Sequence, residues 1–317
     1  MHLSKKFCVG LILALLSLHI ILLAPQFMYY AELTNQEKAL NFLADVVGLD
    51  LAKYQVELKS YNVLAAGDVE YDLVHGGSQI TAQFFFTGNT KLSIRMDSRG
   101  PILLTQSATD RLDAAKGFME RYQTFAGDSY LTPLREILQN VTELKNMTVT
   151  VNDLRLKVEP SPVGEDFVTF QWMYTPNGIH NRFTRITLML NNGVFEQFSD
   201  NWNSCVVGSS EVKISKEQAI SIAKEHVAAY SYMFGNRSIG NLTVNEDISP
   251  SASLYMTVKT GNLLYPLWEL LIPLDKFYPG FVTGVRVYLW ADTGELELIQ
   301  TSKASAGVAP ETSDDAP

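Results

Sequence analysis

Val285-Arg286-Val287-Tyr288-Leu289-Trp290-Ala291-Asp292-Thr293-Gly294-Glu295-Leu296-Glu297-Leu298 reads as two strands closed by a tight turn. Asp292 and Gly294 suit the positive φ angles that such a turn requires. Apolar and polar residues alternate on both flanks, so one face of the hairpin is expected to be buried. The pattern recurs twice upstream. Residues 92–96 lead to Asp97-Ser98-Arg99-Gly100 and on to 101–104, and residues 186–190 lead to Asn191-Asn192-Gly193 and on to 194–198.

A helix start precedes each hairpin: Leu33-Thr34-Asn35-Gln36-Glu37-Lys38-Ala39-Leu40, Asp110-Arg111-Leu112-Asp113-Ala114-Ala115, and Ile214-Ser215-Lys216-Glu217-Gln218-Ala219-Ile220. Thr34 or Asn35, Asp110 and Ser215 are cap residues, whose short polar side chains accept from the unpaired amides of the first turn. Thr34 to Glu37 and Ser215 to Gln218 have capping-box spacing. Helical stripes follow: Ala39, Leu40, Leu43, Val46 and Val47; Leu112, Ala115, Phe118, Met119 and Tyr122; Ala219, Ile222, Ala223, His226, Val227 and Tyr230. A one-sided stripe marks a helix lying on an apolar surface. Further strands are expected at 55–58, 80–86, 167–174 and 266–272. An extra helix is expected with Thr132 as its cap, Pro133 at its first position, and Leu134, Ile137, Leu138 and Val141 on one face.

Together these patterns predict an α+β fold of tandem modules, each a helix packed on an antiparallel β-sheet. The expected boundaries are 32–106 for the first module, 107–202 for the second with its extra helix, 203–211 for a linker and 212–302 for the third. The tail, 303–317, is expected to be disordered.

The third module resembles the PepSY domain family, a cystatin-like arrangement. The likeness lies in residues 214–223, in Tyr265-Pro266-Leu267-Trp268-Glu269-Leu270, and in Val287-Tyr288-Leu289-Trp290-Ala291-Asp292-Thr293-Gly294-Glu295-Leu296. It covers about residues 212–302. The first two modules match only in outline; the first lacks the strand tryptophan, for which the second offers Trp172. The resemblance implies a binding or regulatory role outside the cytoplasm, with a protease or peptide as partner, and no catalytic residues to carry over.

The N-terminus points the same way. Lys5 and Lys6 precede residues 7–24, which carry no formal charge. Lysines hold that end in the cytoplasm and send the rest across. The stretch fits either a signal peptide within 1–31 or a transmembrane helix that keeps the chain at the membrane through residues 7–24; Tyr29-Tyr30-Ala31 is a poor cleavage site because Tyr29 is bulky. Sequons at Asn140, Asn146, Asn236 and Asn241 make the chain a candidate glycoprotein where the host modifies exported proteins. The formal charge is −9 overall and −11 after Ala31, from 23 basic and 34 acidic residues. Such a balance repels a phosphate backbone, which argues against nucleic acid as a partner.

Chemistry is hard to find. No Walker loop, Gly-x-Ser-x-Gly or His-Glu-x-x-His occurs, and no His or Cys pairs at metal-ligand spacing, so no cofactor or metal is expected. His226 reads as a core imidazole and Cys205 as a plain thiol. Tyr265, Trp268, Tyr288 and Trp290 are the candidate binding residues, because strands present alternate side chains outward. The sequence therefore suggests a non-catalytic extracytoplasmic binding or regulatory protein with a protein or peptide partner. The alternatives are an extracytoplasmic hydrolase using dispersed carboxylates and a structural cell-envelope protein.

Overall fold

The structure, a computed structural model, describes residues 34–62, 67–87, 91–105, 110–161, 166–181, 183–202 and 205–303. Its first half is built on one sheet. β1 (Gln55–Asn62), β2 (Asp68–His75), β3 (Ser78–Thr87) and β4 (Lys91–Arg99) form an antiparallel meander. β5 (Met147–Val151), β6 (Leu154–Pro160), β7 (Phe167–Tyr174), β9 (Arg185–Asn191) and β10 (Val194–Asp200) form a second one, while β8 (His180–Asn181) leaves for another sheet. Gly193, at φ +79°, and Asn192, at φ +50°, close the β9–β10 hairpin, as a two-residue turn with positive φ should.

The two meanders are not separate modules. β4 pairs antiparallel with β10, Gln197 opposite Arg95 and Asp200 opposite Leu92, so nine strands run in the order β1-β2-β3-β4-β10-β9-β7-β6-β5. Among the described residues 49% are strand and 24% helix, and the large antiparallel sheets overturn the expected series of helix-on-sheet modules. The reason lies at Gly100. The turn expected at Asp97–Gly100 does not form a hairpin, because β4 stays extended to Arg99 and pairs with β3 along its whole length. Its far edge is then open. An open edge carries a row of unpaired amides and carbonyls, and β10 satisfies them.

Helices cover one face of this sheet. α1 (Asn35–Asn41) begins at the Thr34 capping box, in which the Thr34 hydroxyl accepts from the Glu37 amide at 3.2 Å and Glu37 accepts from the Thr34 amide at 2.8 Å. It runs into a π-helical turn, Phe42–Val47, stopped by Gly48 at φ +83°. α2 (Arg111–Ala126) is capped by Asp110 and buries the whole predicted stripe, Leu112, Ala115, Phe118, Met119 and Tyr122. α3 (Leu131–Gln139) starts earlier than expected: Thr132 lies inside it and accepts a hydrogen bond from Gln123 rather than capping the helix. The Trp172 indole donates to the Leu134 carbonyl at 3.0 Å and ties α3 to β7. Phe42 sits at the centre of the core, its ring centroid within 6.3 Å of Phe84, Phe118, Tyr122, Phe125, Phe195 and Phe198.

The second half carries a six-stranded sheet. β14 (Ser251–Thr260), β15 (Leu263–Tyr278), β16 (Val282–Trp290) and β17 (Leu296–Lys303) are antiparallel. β8 joins β14 in parallel, and β11 (Val206–Val207), inside the expected linker, joins β15 in parallel. α4 (Lys216–Ala229), with its Ser215 capping box, buries Ala219, Ala223 and Val227 against β15 and β16. β12 (Tyr232–Phe234) and β13 (Arg237–Ile239) make a small separate hairpin.

The expected transmembrane helix has no counterpart among the described residues, where no helix is long and apolar enough to cross a membrane. Residues 7–24, the signal-peptide region 1–31 and the tail 304–317 lie outside the described residues. The signal-peptide and glycoprotein expectations stand on sequence pattern alone.

Candidate binding face of the second sheet

Register decides which predicted residues share a face. Tyr255 of β14 lies opposite Leu267 of β15, which lies opposite Trp290 of β16. Side chains alternate along each strand. Tyr265 and Tyr288 therefore join Tyr255, Leu267 and Trp290 on the face away from α4, where they pack as one cluster. Trp268 falls on the other face. It is 9% exposed, packs into the core beneath α4, and its indole donates to the Ile214 carbonyl at 2.9 Å. Of the four candidates, three are brought together and Trp268 is an anchor for the segment that precedes α4.

The face opposite α4 combines aromatic rings with fixed charges. The Lys259 ammonium lies 4.7 Å from the Trp290 ring centroid and 5.2 Å from that of Tyr265, and it pairs with Asp292 at 3.2 Å. The Trp290 indole donates to Glu297 at 2.8 Å. Glu269 accepts from Arg286 at 2.8 Å and from the Tyr288 hydroxyl at 3.3 Å. The Tyr288 hydroxyl first, and Glu269 with it, hold the Arg286 guanidinium more firmly protonated than usual. Gly208 matters here because it has no side chain. A Cβ there would stand 2.5 Å from the Tyr265 ring, so glycine is what lets that ring lie over the β11 strand end. Trp290 is only 4% exposed, while Tyr265 and Tyr288 are half-buried. A partner would meet the edges of the tyrosines and the Lys259–Asp292 and Arg286–Glu269 pairs.

Asn140, Asn146, Asn236 and Asn241 are all exposed. His226 is half-buried on α4, and Cys205 is half-buried against the small cluster of Ile179, Met256 and Leu264. Among the described residues no three His, Cys, Asp or Glu side chains gather to hold a metal ion.

Sequence reasoning missed one buried polar centre. Asp200, 2% exposed at the end of β10, accepts from the Tyr122 and Tyr130 hydroxyls at 2.6 Å each and from the Trp202 amide at 2.8 Å. Burial pushes its pKa up, against the pull of the two tyrosines, and burial beside Asp200 pushes both phenols well above their ordinary range. Tyr122 was legible as part of a helical stripe. Its acceptor lies 78 residues away, where no local pattern marks it.

No family model matches the chain, and no curated protein matches it.

Proposed function

We propose that this chain is a non-catalytic binding or regulatory protein that acts outside the cytoplasmic membrane and takes a protein or peptide partner on the face of its second sheet opposite α4. The observation that carries the proposal is the gathering of Tyr265, Tyr288 and Trp290 with Lys259, Asp292, Glu269 and Arg286 on one face of the second sheet, where Arg286 is exposed and the two tyrosines are half-buried. Tyrosine, tryptophan and arginine are the residues that most often anchor protein interfaces. The PepSY resemblance of residues 212–302 supports the same role, with a protease or its peptide as the partner. Lys5 and Lys6 ahead of the uncharged 7–24 support the location.

The test is a pull-down from the host's envelope fraction, paired with inhibition assays on exported proteases. The full chain should retain a partner, and the double variant Tyr288→Phe/Arg286→Gln should lose it while remaining folded by circular dichroism. A partner retained equally by both, or none retained by either, refutes the assignment.

A further inference from the structure

A second site lies on the opposite half of the molecule and does not rest on the proposal above. Asp113, Gly117 and Arg121 are spaced four residues apart, so they form one row along α2. That row lines a cavity of about 200 Å³, closed below by Phe118, Leu190 and Phe195. Gly117 leaves the helix backbone bare at the middle of the row. A Cβ at that position would meet Arg121 Nη1 at 3.0 Å, so the guanidinium lies over the glycine, beside the cavity.

Arg121 is half-buried, and burial lowers its pKa against the smaller opposing pull of the Glu120 charge. Its Nε donates to the Val46 carbonyl at 2.8 Å, where the π-helical turn ends. Among the described residues no carboxylate lies within ion-pair distance of it. A guanidinium fixed through Nε presents its remaining N–H groups in a planar fork, which matches the two oxygens of a carboxylate. The floor below is aromatic and aliphatic. Asp113, exposed at the far end of the row, disfavours a second negative charge. The volume is below the roughly 300–1,000 Å³ of a typical ligand pocket, so it admits only a short stem.

We propose that this cavity binds a monocarboxylate carried on a short apolar stem, with the carboxylate on Arg121 and the stem against Phe118, Leu190 and Phe195. A free carboxylic acid and the C-terminal residue of a peptide share that chemistry.

The experiment is calorimetric titration of the full chain with 3-phenylpropionate and with 3-phenylpropan-1-ol, which has a similar shape without the charge. A parallel pair is acetyl-Ala-Ala-Phe with a free carboxylate and the same peptide as its amide. The acid should bind at least tenfold more tightly than the alcohol. Arg121→Met should bring the acid down to the alcohol's affinity, and Gly117→Leu should abolish acid binding by filling the cavity. A tenfold preference for the free peptide over its amide would identify the source as a polypeptide terminus; a preference confined to the small acid would identify a metabolite. Equal affinity for acid and alcohol, no heat from either, or an acid preference that survives in Arg121→Met overturns the assignment. Should Arg121→Met fail to fold, the comparison of acid with alcohol on the unaltered chain and on Gly117→Leu still decides.

Discussion

The Tyr122 hydroxyl of α2 donates to the Asp200 carboxylate at the end of β10 over 2.6 Å, and Tyr130 donates to the same oxygen from the loop before α3. This one carboxylate fastens both helices of the second meander to the strand that joins the two meanders. Hydrogen bonds to a charged, desolvated acceptor are among the stronger ones in proteins.

Removing the carboxylate should therefore be costly. Asp200→Ala strands one buried phenol, one half-buried phenol and the Trp202 amide, and about 3 kcal/mol of stability should be lost. Asp200→Asn keeps one acceptor oxygen and should lose about half as much. Urea unfolding followed by tryptophan fluorescence measures both, and equal midpoints for wild type and Asp200→Ala would remove the claim.

The same residue gives a pH signature. Burial raises the folded pKa of Asp200 above the ordinary 3.8. The folded state then holds its proton more tightly than the unfolded state, so this contribution is full below 3.8 and is lost as pH rises through the folded value. Asp200→Asn lacks that titration. Its stability deficit should be largest in acid and narrow as the pH climbs above 3.8, in unfolding curves taken at successive pH values.

Phe42 should be the most sensitive apolar position. It is fully buried and its ring meets six others. Phe42→Ala should cost about 3–5 kcal/mol, against roughly 1 kcal/mol for Phe42→Leu, because leucine refills most of the volume. Chemical denaturation of the two variants checks the ordering.

Gly208→Ala tests the support of the candidate face. A methyl group at 2.5 Å must push the Tyr265 ring aside, at a cost of about 1–3 kcal/mol. Gly77→Ala, where nothing lies within 4 Å of the new Cβ, should change stability by less than about 0.5 kcal/mol. Thermal unfolding separates the two.

Ser215→Ala removes the side-chain half of the α4 capping box and should cost about 1 kcal/mol. Hydrogen exchange should speed up at the amides of Glu217 and Gln218 while α2 keeps its protection. Faster exchange in both helices alike would show that the cap is not local.

What the sequence revealed was local, and what it concealed was long-range. The α2 stripe was legible because 3.6-residue spacing is written into five consecutive contacts. Phe42 was overlooked although it follows Ala39 by three residues, a spacing that belongs to the same face. Asp97-Ser98-Arg99-Gly100 has the composition of a hairpin turn, yet Arg99 pairs with Gln79 and Arg95 with Gln197; only those distant partners keep the strand straight. Tyr288 and Trp290 could be placed together by parity within one strand. Trp268 could not be assigned to the other face without the register of β15 against β16. Arg121 carried no signal, since its cavity is assembled from the end of a π-helical turn, a strand, a helix and a hairpin tip.

The β4–β10 junction has a consequence for synthesis. Arg95 meets Gln197, so the ribosome must add another hundred or so residues before the first meander finds its neighbour. At about 5–20 residues per second that interval is roughly 5–20 s. Throughout it the nascent chain displays an unclaimed strand, and the growing polypeptide must be shielded from its own kind until the second meander arrives.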